Sequence, residues 1–335
     1  MENGKLNLNE LPSTVQLVKV TASKLNQKLQ IGELPQGITS LIFENVTFNS
    51  GDAVVEHSVD LKRFVCRYCG LTSISFPAKS GLQELDLSGN TLTTVLPSPL
   101  PGSELALIMQ NCTMNMSLTN VLKLLPRNVH TIDFSYSKIP DIQEGIAKLP
   151  SHLQTVKLNG CHLGAEVSSL TDALKSASES IQELALKDCG LTGGLGKLRH
   201  FGPLRSLDLS SNRISSVAWE ELPPALEHLS IGENALVGGL PVRRLPRSLR
   251  LLDVSHNGLS GGINVGELPP TLTTLDISHN NFTGHLDLTQ LPDSILYVHV
   301  EHNGFQGTPD LVEIPIGIRK IMIHDNNWDS LLPAL

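Results

Sequence analysis

Aromatic residues are scarce in this chain. Phe, Trp and Tyr make up 4% of its 335 residues, although 40% are hydrophobic. That excludes a core filled by large rings, and the stacking surface on which single-stranded nucleic acid is held. No excess of positive charge compensates, because the net charge is −8 with acids and bases interspersed. Without a strong positive field there is nothing to hold DNA, RNA or an anionic membrane. No unbroken apolar run reaches the ~20 residues of a membrane span. The opening residues, "MENGKLNLNELPSTV", lack the basic-then-apolar pattern of a leader. Five cysteines are too few, and odd in number, for a secreted disulfide framework. The expected address is a cytoplasmic or organellar interior.

What the chain has instead is repetition. "LDVSHNGLSG" at 252–261 returns as "LDISHNNFTG" at 275–284, "VHVEHNGFQG" at 298–307 and "IMIHDNNWDS" at 321–330. The underlying pattern is L-x-x-L-x-L-x-x-N-x-L. It begins at Val15, Ile38, Leu61, Leu82, Glu104, Val129, Leu153, Ile181, Leu204, Leu226, Leu249, Leu272, Ile295 and Ile318, with Glu104 the one poor first position. These fourteen starts lie 21 to 28 residues apart and leave no room for a linker, so 1–335 reads as a single repeat domain.

The L-x-L alternation reads as a short strand, with Leu272, Leu275 and Ile277 pointing one way and Asp276 the other. One unit cannot bury its own leucines, whereas stacked units bury a continuous apolar column. At ~4.8 Å per strand, fourteen strands make a sheet on the order of 65 Å long. Where each strand ends, Asn90, Asn212, Asn234, Asn257, Asn280, Asn303 and Asn326 occupy one position. An inward amide there can satisfy backbone groups that have no strand partner, forming a ladder through the stack. Cys69, Cys112, Cys161 and Cys189 take the same position, and Cys66 falls on a leucine position. All five cysteines are thereby expected in the core, and Cys66-Arg67-Tyr68-Cys69 is not expected to be a zinc or redox motif, since no second pair accompanies it.

"LQELDLSGNTL", "LRSLDLSSNRI" and "LTTLDISHNNF" resemble leucine-rich repeats over nearly the whole chain. The resemblance implies an α/β solenoid: a right-handed superhelix of about 14 repeats with a concave parallel β-sheet and a mostly irregular convex side carrying a few helices. The last repeats, as in "NNFTGHLDLTQLP", are similar to the plant-type class, with Gly284 and Pro292 marking a tight extended return. "DIQEGIAKLP" (141–150) and "SLTDALKSASES" (169–180) have helical spacing and resemble the ribonuclease-inhibitor class.

Candidate chemistry is thin. "GLTGGLGKL" (190–198) has the wrong spacing for a phosphate loop. His256, His279 and His302 share one place in successive repeats and should stack about 5 Å apart at a strand spacing. With His299 and His324 nearby, a metal site or a pH-sensitive contact is conceivable. The competing reading is that Ser-His-Asn is ordinary repeat wording, and the expectation is no metal site, no cofactor and no catalytic residue. The sequons at Asn45, Asn111, Asn115 and Asn281 number about what chance gives.

Leucine-rich repeats usually bind proteins through the concave sheet, so the resemblance implies a non-catalytic scaffold for one or more protein partners. The residues placed on that face are Lys62, Arg63, Arg67 and Tyr68, a basic and aromatic patch, then Asp208, Asp253, Asp276, His256, His279, Tyr297, His299, Glu301 and His302. Ile42, Val65, Asp86, Ile108 and Asp133 are expected to line the more apolar N-terminal strands. Arg243, Arg244, Arg247 and Arg250 gather on a return segment and the next strand. A subunit embedded in a larger complex, or an extracellular receptor or inhibitor domain, are the alternatives.

Overall fold

The computed structural model describes residues 8, 11–25, 27–57, 60–76, 81–93, 104–125, 127 and 129–329. The chain divides into two compact units, Met1–Cys161 and His162–Leu335. Each contributes seven strands that run parallel and pair in chain order. In the first unit they are Leu17–Thr21, Ser40–Glu44, Arg63–Arg67, Glu84–Asp86, Leu105–Ile108, Val129–Asp133 and Thr155–Lys157. In the second they are Glu183–Ala185, Ser206–Asp208, His228–Ser230, Leu251–Asp253, Thr274–Asp276, Tyr297–His299 and Lys320–Met322. Every repeat start read from the sequence is followed by one of these strands, the start at Val129 opening its strand directly.

Register follows the repeat. Leu251 pairs with Thr274 and Thr274 with Tyr297, while Leu252, Leu275 and Val298 align one residue on. The inward set is closed to water: Leu272, Leu275 and Ile277 are 0%, 1% and 0% exposed. Removing such a side chain from water contributes roughly 2 kcal/mol, and the column is continuous because each leucine sits on its equivalent in the next repeat. The few aromatics join it. Phe282, Phe305 and Trp328 stack in series at 6.2 and 6.1 Å between ring centroids.

The return segments differ between the units. In the first, Ser117 caps a helix at Leu118–Leu124 by accepting from the Asn120 amide, and a second helix covers Ile142–Ile146. In the second, Val167–Ala173 is helical and continues as a 3-10 turn over Leu174–Ala177. The later returns of that unit are extended, with single 3-10 turns at Trp219–Glu221, Val242–Arg244, Val265–Glu267 and Leu288–Gln290. The helices at 142–146 and 167–173 match the helical spacing of the sequence, whereas the helix at 118–124 gave no such signal.

A second parallel sheet, absent from the sequence reading, forms behind the first. It joins Val237–Gly238, Gly258–Gly261, Asn281–His285, Gly304–Gly307 and Asn327–Trp328. Its glycines 238, 261, 284 and 307 all hold φ between 86° and 89°, which lets the chain leave the edge sharply before turning inward. Among the described residues no helix is long and apolar enough to cross a membrane.

Candidate functional site

The Asn positions hold the stack together. Asn280 Oδ1 accepts from the Leu259 amide of the preceding repeat at 3.0 Å, and its Nδ2 donates to the Val254 carbonyl at 3.0 Å and the Ile277 carbonyl at 3.2 Å. Asn212, Asn234, Asn257, Asn303 and Asn326 repeat this arrangement, each accepting from a backbone amide one repeat back and donating to carbonyls there and in its own turn. In the first unit Asn90 bridges to the Cys66 carbonyl and to the Cys69 and Leu71 amides. The cysteines at this position use thiols instead: Cys112 Sγ donates to the Leu87 carbonyl at 3.3 Å and Cys161 Sγ to Phe134 at 3.1 Å. Cys189 Sγ reaches the Lys187 carbonyl at 3.5 Å. Sequence reasoning missed one rung, Ser137. Its hydroxyl accepts from the Cys112 amide and donates to the Met109 carbonyl.

Directly before each rung the backbone is left-handed. Ala22, Asn45, Tyr68, Asn111, Tyr136, Asp188, Ser211, Glu233, His256, His279, His302 and Asp325 all have φ between 46° and 60°, and Gly89 and Gly160 complete the series. This conformation turns the chain from the strand toward the core, and β-branched residues cannot adopt it cheaply. The side chains at this position form a column along the sheet margin. Tyr68 lies against Gly89 and Tyr136 against Gly160, so closely that a Cβ on either glycine would fall 2.2 or 2.4 Å from the ring. In the second unit His256, His279 and His302 stack face to face with centroids 4.0 and 4.1 Å apart. Burial and the flanking imidazoles hold the His279 pKa below the usual histidine range.

The strand-face carboxylates are less free than the sequence suggests. Asp253 Oδ1 accepts from the Ser255 amide at 3.0 Å and its hydroxyl at 2.7 Å. Asp208 with Ser210, Asp276 with Ser278 and Asp86 with Ser88 do the same. One oxygen of each carboxylate thus closes the turn that begins the left-handed bend; the other is left for solvent or a partner at Asp208 and Asp253, whereas Asp86 is buried and gives its second oxygen to Arg67. His299 and Glu301 replace Asp and Ser in the next repeat. His299 Nδ1 lies 3.6 Å from Asp276 Oδ2 and 3.8 Å from Glu301 Oε1. Glu301 is 7% exposed, and its Oε2 finds no hydrogen-bond partner. Tyr297, His256 and His302 are exposed.

The N-terminal patch carries no free positive charge among its two arginines. Arg63 pairs with Glu84 at 2.9 Å, and Arg67 pairs with Asp86 at 2.7 Å and Glu44 at 3.5 Å, while Lys19 also holds Glu44. Lys62 is exposed beside them. The line of side chains expected to face solvent here is largely closed instead: Ile42, Val65, Asp86 and Asp133 are buried and Ile108 is half-buried. The ion-paired side chains at 63 and 67 flank Val65 on the same face of its strand, since side chains two apart share a face. Arg243, Arg244, Arg247 and Arg250 likewise bond to Glu267, Glu220, the Glu267 carbonyl and Glu227, stitching neighbouring returns together.

All five cysteines are buried free thiols. Burial pushes the Cys66 and Cys112 thiols up, and that of Cys161 up to about 11, whereas the hydrogen bond with Cys66 lowers that of Cys69. Because all five are closed off from solvent, a disulfide reagent at pH 8 is expected to leave all five unlabelled in the native protein and to label all five in urea, Cys69 being the first to react if the fold opens locally. Fast labelling of any cysteine before unfolding would contradict the placement.

A family model described as "Leucine Rich Repeat" matches residues 81–103 and 203–229, and a second described as "Leucine Rich repeat" matches 269–284. Solved structures resemble the chain over most of its length. The Leptospira interrogans leucine-rich-repeat protein LIC12759 is 20% identical with a TM-score of 0.61, covering 86% of this chain and 80% of its own. YopM from Yersinia enterocolitica is 24% identical with a TM-score of 0.59, covering 91% and 64%. The Arabidopsis receptor kinase HAESA, solved with the peptide hormone IDA and the co-receptor SERK1, is 20% identical with a TM-score of 0.55, covering 95% of this chain. The chain spans 59% of the length of that HAESA chain. No curated protein matches the sequence.

Proposed function

This chain is a leucine-rich repeat protein of the α/β solenoid class, and from that premise we propose that it is a non-catalytic scaffold binding a protein partner through the open face of its parallel sheet. The observation that carries the reading is the outward row in residues 162–335. Ser206, His228, Leu251, Thr274, Tyr297 and Lys320 follow one another in strand register, half-buried or exposed, and differ in chemistry at every step. The alternate residues, Leu207, Leu229, Leu252, Leu275 and Val298, are uniformly apolar and buried. A surface that varies on a frame that does not is what recognition of one partner requires. HAESA is a precedent for the fold holding a peptide and a second protein. A reading as an enzyme has less support, because Asp208, Asp253 and Asp276 are bound into turns on the half-buried strand face and Asp86 is tied to Ser88 and Arg67. The buried free thiols favour a reducing interior such as the cytoplasm.

The structure also selects the variants for a test. Reversing Asp253 and Asp276 would break their turns, confounding binding with folding. Thr274 and Tyr297 hold no turn. With a partner identified by affinity purification, the double variant Thr274→Arg, Tyr297→Arg is expected to weaken binding at least tenfold while thermal unfolding stays unchanged. Arg243→Ala, on a return segment, is expected to bind normally. Undiminished affinity in the double variant would refute this face as the docking surface.

A further inference from the structure

The last two repeats abandon the Asp-x-Ser turn of their predecessors. Where Asp253 and Ser255, or Asp276 and Ser278, close the bend, the final repeat has Met322 and His324. His324 therefore sits where a serine held the turn, without doing the serine's work. Its described side-chain hydrogen bond goes sideways, from Nδ1 to Asp325 Oδ2 at 2.6 Å. Asp325 in turn occupies the left-handed position that histidine fills in the three repeats before it.

The geometry also changes at this point. His256, His279 and His302 stack face to face, so their ring nitrogens lie side by side and do not aim at a common point. His302 and His324 are perpendicular, with centroids 5.3 Å apart and planes at 87°. Asp325 Oδ2 lies between them, 3.3 Å from His302 Nε2 and 2.6 Å from His324 Nδ1. One ligand atom from each of the three residues falls within 4.8 Å of the others. Two donors bound to one tetrahedral zinc stand about 3.4 Å apart. The His302–Asp325 separation already matches this, and the His324–Asp325 contact opens to it when a metal replaces the shared proton.

We propose that His302, His324 and Asp325 form a surface site for a divalent transition metal, with zinc the ion that fits best. Two imidazoles and one carboxylate suit a borderline cation, whereas magnesium and calcium take oxygen donors. All three side chains are exposed, so water or a partner's donor completes the coordination. His302 is held by its stack on His279, which fixes the ring plane from behind.

Calorimetric titration of the purified chain with zinc chloride tests this. One equivalent of zinc is expected to bind with a saturable heat, and to raise the thermal midpoint. His324→Ser restores the residue that equivalent repeats carry, and Asp325→Asn keeps a side chain suited to the left-handed backbone. Each is expected to fold and to weaken zinc binding at least tenfold, since each removes one of three ligands. His256→Ala, two repeats away in the same column, is expected to bind zinc as the wild type does. Absence of a saturable one-equivalent heat overturns the proposal. So does undiminished binding in both ligand variants, or an equal loss in His256→Ala, which would move the metal onto the stack.

Discussion

Asn280→Ala is expected to lower the unfolding free energy by about 3 kcal/mol. The amide makes bonds that no neighbour can replace. Its Oδ1 holds the Leu259 amide, and its Nδ2 holds the Val254, Ile277 and Ser278 carbonyls. At 7% exposure the site admits little water to take over those roles. An orphaned buried backbone group costs ~1–3 kcal/mol, more than the net gain from making one such bond. The adjacent Asn281 is exposed in the second sheet, so Asn281→Ala is expected to change stability by less than about 0.5 kcal/mol. Urea denaturation of both variants, followed by fluorescence of Trp219 and Trp328, separates them. Equal midpoints would mean that the ladder contributes nothing beyond its neighbours' packing.

That ladder was legible because it is periodic: a residue needed in every turn of a stack appears in every turn of the sequence. The fourteen strands follow from the same periodicity. The left-handed residue before each rung was harder to see. Ala22, Asn45, Tyr68, Ser211, Glu233 and His279 share a backbone angle, not a chemistry. What they share as a sequence signal is the absence of Val, Ile and Thr. It also explains Ser-His-Asn: histidine is one of several residues the bend accepts, and its ring then stacks on the next. The turn role of Asp253 and Asp276 was hidden because the second partner, Ser255 or Ser278, was read only as part of the phrase. The ion pairs of Arg63 and Arg67 were hidden for a different reason. Their partners lie about one repeat away, at Glu84, Asp86 and Glu44, and nothing local announces which acid in the next turn each base will meet. The second sheet depends on where glycine escapes the ordinary backbone range, as at Gly261 and Gly284, while the sequence presents these residues only as loop punctuation.

Arg67→Met should be the most destabilising single change among the charged residues, by roughly 3 kcal/mol. Asp86 is 0% exposed, yet it carries a carboxylate. Its Oδ1 is satisfied by Ser88, and its Oδ2 accepts from Arg67 Nε at 2.7 Å. The guanidinium is itself partly exposed, and Asp86 raises its pKa further, so it stays charged throughout the accessible pH range. Methionine keeps the apolar stem in place and removes only the charge and the donors. What remains is a buried, half-satisfied carboxylate, and that uncompensated charge is the larger part of the cost. The double variant Arg67→Met, Asp86→Asn is therefore expected to recover much of the loss, because an amide at 86 still accepts from Ser88 and carries no charge to desolvate. Arg244→Met supplies the contrast. Its pair with Glu220 spans 3.1 Å with both side chains more than half exposed, and such solvent-screened pairs contribute little. Guanidinium chloride would screen both interactions, so urea at low and at about 0.5 M salt is the proper measurement. The Arg67 effect should persist across that range and the Arg244 effect should vanish. If the two variants prove equally mild, Asp86 is hydrated in solution and the paired face of the first unit is more open than its geometry implies.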